Sequence, residues 1–261
     1  MHATEQGPLA DVGVFGGSGF THLLDDTETI EVDTAWGQPS GPLTIGTVAG
    51  RRVAFLARHG VHHQLPPHRV NYRANVEAMR LLGVDAVFAP FAAGSLRPEL
   101  RPGDLVVVDQ FVDRTSGRAE TFHDHFHDGP RHLTLPDPYD AELREVLLKA
   151  AASTSVVVHD GGTVVVVNGP RFSTRAESRW FAEQGWHLVN MTQHPEAALA
   201  AEAGLPYAGL AIVTDHDAGV EGDPSVQPVT QEEVFAVFER SIGLVRDLLV
   251  RAIAELPTSG A

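Results

Sequence analysis

Seven short, almost wholly apolar runs rich in β-branched residues, at 12–15, 53–57, 86–89, 105–108, 156–158, 164–167 and 208–213, constrain the fold of this chain most. Each is too short for a helix and lacks the polar alternation of a half-exposed strand, so each reads as a strand buried on both faces. Segments of helical period lie between several of them, notably 73–82, ending at Gly83, and 139–151. Strands that alternate with helices predict one layered α/β fold, a central sheet flanked by helices. Three later helices carry their own start and stop signals: Thr174 with Glu177 and Gly185, Pro195 in a first turn with Gly204, and Thr230 with Glu233. The threonine–glutamate pairs are capping boxes, in which each side chain satisfies the other residue's backbone N–H.

A chain of 261 residues, 43% hydrophobic, buries roughly three quarters of its unfolded surface, so a single domain over 1–261 is expected, with 1–10 and 256–261 as flexible ends. The absence of cysteine removes disulfides, thiolate metal sites and a cysteine nucleophile, and fits a reducing cytoplasm. No signal peptide and no apolar run of membrane-spanning length is seen, so no membrane partner is expected. Nineteen basic against 34 acidic residues give a net charge of −15, without a basic run that could follow a phosphate backbone, so nucleic acid is not expected either. Such a charge repels small anions at long range, and any anion site must be a local cluster of Arg, His and backbone N–H groups. Residues 115–138 are polar, with His123, His125, His127 and His132. The i, i+2 spacing lacks the accompanying ligands of a zinc site, and no metal is expected.

Four clusters at strand ends could carry chemistry. Gly16, Gly17, Ser18 and Gly19 follow the first strand, where glycines let amides converge on an anion, although a plain turn explains them as well. The frame is neither a dinucleotide fingerprint nor a triphosphate loop. Arg58, His59, Gly60 and His63 follow the strand at 53–57, at the carboxyl end where open α/β sheets build their sites. Arg58 could grip an anion bidentately and His59 could donate a hydrogen bond or share a proton, or the group could be a solvated turn. Asn190, Met191 and Thr192 precede the helix near Pro195, and Met191 offers an apolar platform for a sugar. Glu196, in that helix's first turn, could bind ribose hydroxyls or simply match the helix dipole. Last, Thr214, Asp215, His216 and Asp217 follow the apolar strand 208–213. Neighbouring carboxylates raise one another's pKa, leaving one as a proton donor near neutrality, which N-glycosidic cleavage of a purine requires, although an ordinary acidic loop after a strand explains a single Asp as well.

Taken together with Val70 to Asn75, Gly94-Ser95-Leu96, Pro102-Gly103-Asp104, Asp109-Gln110-Phe111, Asp113-Arg114-Thr115 and the stretch Gly169 to Ser178, these clusters resemble the methylthioadenosine phosphorylases of the trimeric purine nucleoside phosphorylase group. The matches run from residue 11 to about 217. The resemblance implies a single-domain purine nucleoside phosphorylase-like fold with a mixed central sheet, a homotrimer, inorganic phosphate as co-substrate, and no metal or organic cofactor. It implies that Ser18, Arg58, His59, Thr192 and the Ala92 backbone hold phosphate. Phe172, Ser173, Asn190, Met191 and His63 would line the nucleoside, and Asp215 and Asp217 would read purine N7 and the 6-amino group, with Asp215 as proton donor. His132 would approach the 5' substituent of a neighbouring subunit, and Gln231, Val234 and Phe235 would border the 5' pocket. Two positions depart from the family pattern. Phe91 stands where a hydroxyl residue is common, and Gln231 where an apolar residue is common, so adenosine is less excluded than in a wholly apolar pocket. The implied reaction is phosphorolysis of S-methyl-5'-thioadenosine. A broader purine nucleoside phosphorylase, a hydrolytic nucleosidase and a binding protein without turnover remain as alternatives.

Overall fold

The computed structural model describes residues 8–16, 25–127, 129–218 and 229–257. Eleven strands form one mixed sheet: β1 (Val12–Gly16), β2 (Asp25–Ile30), β3 (Leu43–Val48), β4 (Arg51–Ala57), β5 (Ala86–Ser95), β6 (Leu105–Val107), β7 (Gln110–Arg114), β8 (Val158–Asp160), β9 (Thr163–Val167), β10 (Leu188–Asn190) and β11 (Tyr207–Asp215). Five helices flank it: α1 (Tyr72–Leu82), α2 (Ala141–Ala151), α3 (Arg175–Glu183), α4 (Gln193–Glu202) and α5 (Gln231–Glu255). The mixed α/β class and the buried strands read from the apolar runs are present. The run at 156–158 is displaced, its strand lying at Val158–Asp160.

Strands β4, β1, β5 and β11 lie side by side and parallel, so the residues that leave their carboxyl ends emerge on one side of the sheet. Alternation along each strand sends side chains to two cores. On β11, Tyr207, Ala211 and Val213 enter one hydrophobic cluster together with α1 and α4. Ala208, Leu210 and Ile212 enter the other with α2 and α5. Each fully buried Leu, Ile or Phe adds about 1.5–3 kcal/mol, so both helix layers are held by the sheet between them. The site is built on that rigid centre.

Local signals set the helix ends. Gly83 closes α1 at φ 77°, a left-handed conformation that glycine adopts without strain. Asp140 caps α2 by accepting from the Leu143 N–H at 2.9 Å. Both capping boxes are formed, Thr174 with Glu177 and Thr230 with Glu233. In α4, His194 is non-helical, so the regular helix starts at Pro195, whose fixed φ suits a first turn. No described helix is long and apolar enough to cross a membrane.

Candidate active site

Arg58 leaves the end of β4 and turns inward. It is 3% exposed, and its Nε and Nη2 donate to the two carboxylate oxygens of Glu196 at 2.6 and 2.7 Å. Further donations reach the carbonyls of Pro90 and Phe15 at 3.3 and 3.4 Å, tying the end of β4 to the middle of β5 and the end of β1. Burial alone would lower the Arg58 pKa, but the charge and hydrogen bonds of Glu196 outweigh it and leave it raised. Glu196, wholly buried, also accepts the Tyr207 hydroxyl at 2.7 Å. It is therefore committed to Arg58 and Tyr207, which corrects its reading as a ribose ligand.

His59, next in sequence, places Nδ1 2.8 Å from the Leu65 carbonyl. A carbonyl only accepts, so Nδ1 carries the proton there. Burial, with Arg58 and His63 nearby, lowers the His59 pKa to about 4, so the ring is neutral at pH 7 and Nε2 is a hydrogen-bond acceptor. The His63 ring stacks on His59 at 4.6 Å and meets Phe235 of α5 edge-on at 5.7 Å. One row of rings thus joins the Arg58 loop to α5. In α5, Val234 is half-buried, while Gln231 and Phe235 are exposed.

The turn between β10 and α4 is organised by Asn190. Its Oδ1 accepts the N–H groups of Thr192 and Gln193 at 2.6 and 2.8 Å, and its Nδ2 donates to the Ala92 carbonyl at 2.8 Å. Asn190 therefore joins Ala92 to Thr192, two positions of the expected phosphate set. Met191, half-buried, lies against Gly169, where an added Cβ would come within 2.4 Å of its sulfur.

At the end of β11, Asp215 accepts from the Thr214 hydroxyl and from the Asp217 N–H, both at 2.7 Å. The strand pairing sets Asp215 beside Gly94 of β5, and a Cβ at Gly94 would lie 2.9 Å from Asp215 Oδ1. Only the lack of a side chain there admits both carboxylates. Burial raises the Asp215 pKa. Burial also drives Asp217 to about 6, with Asp215 adding to the rise and the hydroxyls of Ser178 and Ser173 opposing it. The Ser173 hydroxyl stands near enough to act on that carboxyl, yet neither Ser173 Oγ nor Asp217 Oδ2 closes a hydrogen bond of normal geometry among the described residues, which leaves a buried acceptor and donor that suit the polar edge of a purine.

Of the remaining expected residues, Phe172 is 38% exposed, and His132 is exposed and packs edge-on against Phe126 within the polar excursion. Phe91 is buried in the first core cluster. Ser18 lies outside the described residues. Among the described residues, the histidine run does not form the group best arranged for a cation. Asp113, Glu120 and His194 do, with ligand-type atoms within 4.8 Å of one another, and these are already paired, His194 Nε2 lying 3.1 Å from Glu120. Sequence reasoning missed Arg118. From the excursion it donates to the carbonyls of His194, Met191 and Asn168 at 2.5, 2.8 and 3.1 Å, strapping the Met191 turn to the end of β9. Nothing near Arg118 in the sequence marks it for that task.

A family model described as the Phosphorylase superfamily matches residues 11–254. A purine nucleoside phosphorylase of Streptomyces coelicolor is 53% identical, covering 96% of this chain and 91% of its own length. An S-methyl-5'-thioadenosine phosphorylase of Mycobacterium tuberculosis is 54% identical, over 93% of this chain and 88% of its own. The solved structure of methylthioadenosine phosphorylase from Schistosoma mansoni in complex with adenine superposes with a TM-score of 0.86 at 39% identity, covering 94% of this chain and 91% of that one. With most of its length matched in each case, the chain belongs to the phosphorylase superfamily.

Proposed function

We propose that this enzyme cleaves S-methyl-5'-thioadenosine with inorganic phosphate, releasing adenine and 5-methylthio-α-D-ribose 1-phosphate. The observation that carries the reading is the pair Asp215, half-buried, and Asp217, buried, with the Asp217 carboxyl poised near pH 6 and one of its oxygens without a partner among the described residues. A 6-aminopurine offers such a pair an N–H to donate and an N7 to be protonated. The bond from C1' to N9 breaks, its electrons move into the purine, and the carboxyl proton goes to N7. A phosphate oxygen forms the new bond to C1', whose developing positive charge rests over Met191. Arg58, Thr192, Ser18 and the Ala92 N–H hold the phosphate, while neutral His59 accepts from a P–OH group through Nε2. The nucleophile is phosphate and the proton comes from a side chain, so this step calls on no metal or organic cofactor.

The name of the Mycobacterium tuberculosis relative supports the 5'-methylthio substrate. That of the Streptomyces relative, with polar Gln231 at the start of α5, supports a second reading that admits adenosine. In both, phosphorolysis takes place in a homotrimer, with His132 reaching toward the neighbouring subunit's 5' substituent. Base release from methylthioadenosine, adenosine and inosine, each with and without phosphate, tests the proposal. Phosphate-dependent release of adenine, fastest from methylthioadenosine, is expected. Faster turnover of adenosine selects the second reading. Indifference to phosphate, preference for inosine, or no release at all overturns both.

A further inference from the structure

Arg58 is the one arginine of the proposed phosphate set, yet four of its five N–H groups are committed within the described residues. The two shortest bonds go to one carboxylate in a fork, a geometry that spends both charge and direction. Glu196 is in turn held from behind. Its Oε1 accepts Tyr207, the Tyr207 hydroxyl accepts Gln193 Nε2 at 3.1 Å, and Gln193 Oε1 accepts Tyr139 at 3.1 Å. This chain of buried groups runs through α4 and β11 and fixes the pair from the side away from the strand ends.

We infer that Glu196 is a positioning residue that sets phosphate affinity by neutralising Arg58, so that the anion meets directed N–H groups in a pocket of no net charge. The inference rests on the phosphorolysis reading. The other phosphate-facing groups agree with it, since Thr192 and the Ala92 N–H are neutral and His59 is uncharged at pH 7. A fully cationic site would hold a dianion tightly before and after reaction, and the sugar 1-phosphate product is as strongly anionic as phosphate. Neutralisation keeps the orienting hydrogen bonds while letting the product leave.

Steady-state kinetics of Glu196→Gln test this. The variant uncovers the Arg58 charge, and its KM for phosphate is expected to fall roughly fivefold, with kcat falling as product release slows and the nucleoside KM staying within about twofold. General damage to the fold does not tighten phosphate binding, so an unchanged or raised phosphate KM overturns the inference. The wild-type enzyme gives a second test that needs no folded variant. Raising KCl from roughly 0.01 to 0.15 M shortens electrostatic reach from about 30 to about 8 Å. A neutral pocket in a chain of net charge −15 predicts a phosphate KM that stays flat or falls, whereas a steep rise overturns the inference. If wild-type adenine release needs no phosphate, the functional reading fails; phosphate dependence with an unmoved KM in Glu196→Gln removes only the role of Glu196.

Discussion

The two ends of the site are built on opposite electrostatic plans. At the Arg58 end, four of the five guanidinium N–H groups are paired among the described residues, Glu196 accepts three hydrogen bonds, and Asn190 satisfies the Thr192 turn. At the Asp217 end, two carboxylates share one strand terminus and one oxygen has no partner among the described residues. The first arrangement gains rigidity from dense pairing. The second gives up stability to keep a carboxyl protonated up to about pH 6. Both stand on the same parallel strands, which shows that the fold supplies the place and the partners supply the chemistry.

The largest expected break lies at the paired end. Arg58→Ala leaves Glu196 charged and buried without its counterion, a loss of about 3–5 kcal/mol of stability. Thermal or denaturant unfolding measures it, and removing Glu196 as well should recover part of the loss. If Arg58→Ala is as stable as the wild type, the fork is not formed in solution. For the same reason this variant is a poor probe of phosphate binding alone.

At the open end, Asp215→Asn is expected to cut activity on adenine nucleosides about a hundredfold, as loss of an acid group does, and to shift preference toward inosine, because an amide can donate to O6. Full activity with unchanged base preference removes Asp215 from the proton pathway. Asp217 allows a separate test by stability. Its carboxyl titrates near 6 in the fold against an ordinary 3.8, so the fold favours the protonated form. That stability is fully present below about pH 4 and is lost as pH rises through 6. Asparagine cannot ionise and keeps it. Asp217→Asn should therefore match the wild type near pH 4 and exceed it at pH 8 by about 2–3 kcal/mol. A difference that does not vary with pH means that Asp217 is not held near 6.

What could be read in the sequence follows from how local each signal is. Strands β1, β4 and β11 are buried on both faces and so appear as unbroken apolar runs. The capping boxes lie within four residues and are legible for the same reason. Strand β2, Asp25–Ile30, is exposed and polar, and β10 is three residues long; neither leaves an apolar run to find. Strand β5 continues through Pro90 to Ser95, where a proline ordinarily argues against a strand interior, and this extension is what carries Gly94 to Asp215. The positions of Arg58 and Asp215 at strand ends were legible, but their partners were not. Arg58 meets Glu196 across 138 residues of sequence, and Arg118 meets Met191 across 73. A carboxylate in a first helical turn looks the same whether it faces the helix dipole or a buried guanidinium.

The smallest expected effect separates two residues at the start of α5 that the sequence could not rank. Phe235 touches the Arg58 loop through the His63 ring, whereas Gln231 is an exposed residue in the first turn. An aromatic edge contact is worth about 0.5–1.5 kcal/mol, so Phe235→Ala should change the efficiency ratio of methylthioadenosine to adenosine roughly two- to tenfold. Gln231→Val loses no described contact, and its stability should stay within about 0.5 kcal/mol of the wild type. An exposed amide replaced by an apolar side chain shifts that ratio less than the loss of Phe235, because only Phe235 is wired to a ring of the site. Measuring both ratios side by side decides the order. A larger change from Gln231→Val means that this amide faces the 5' substituent in the assembled enzyme, and adenosine then becomes the substrate to which the start of α5 is fitted.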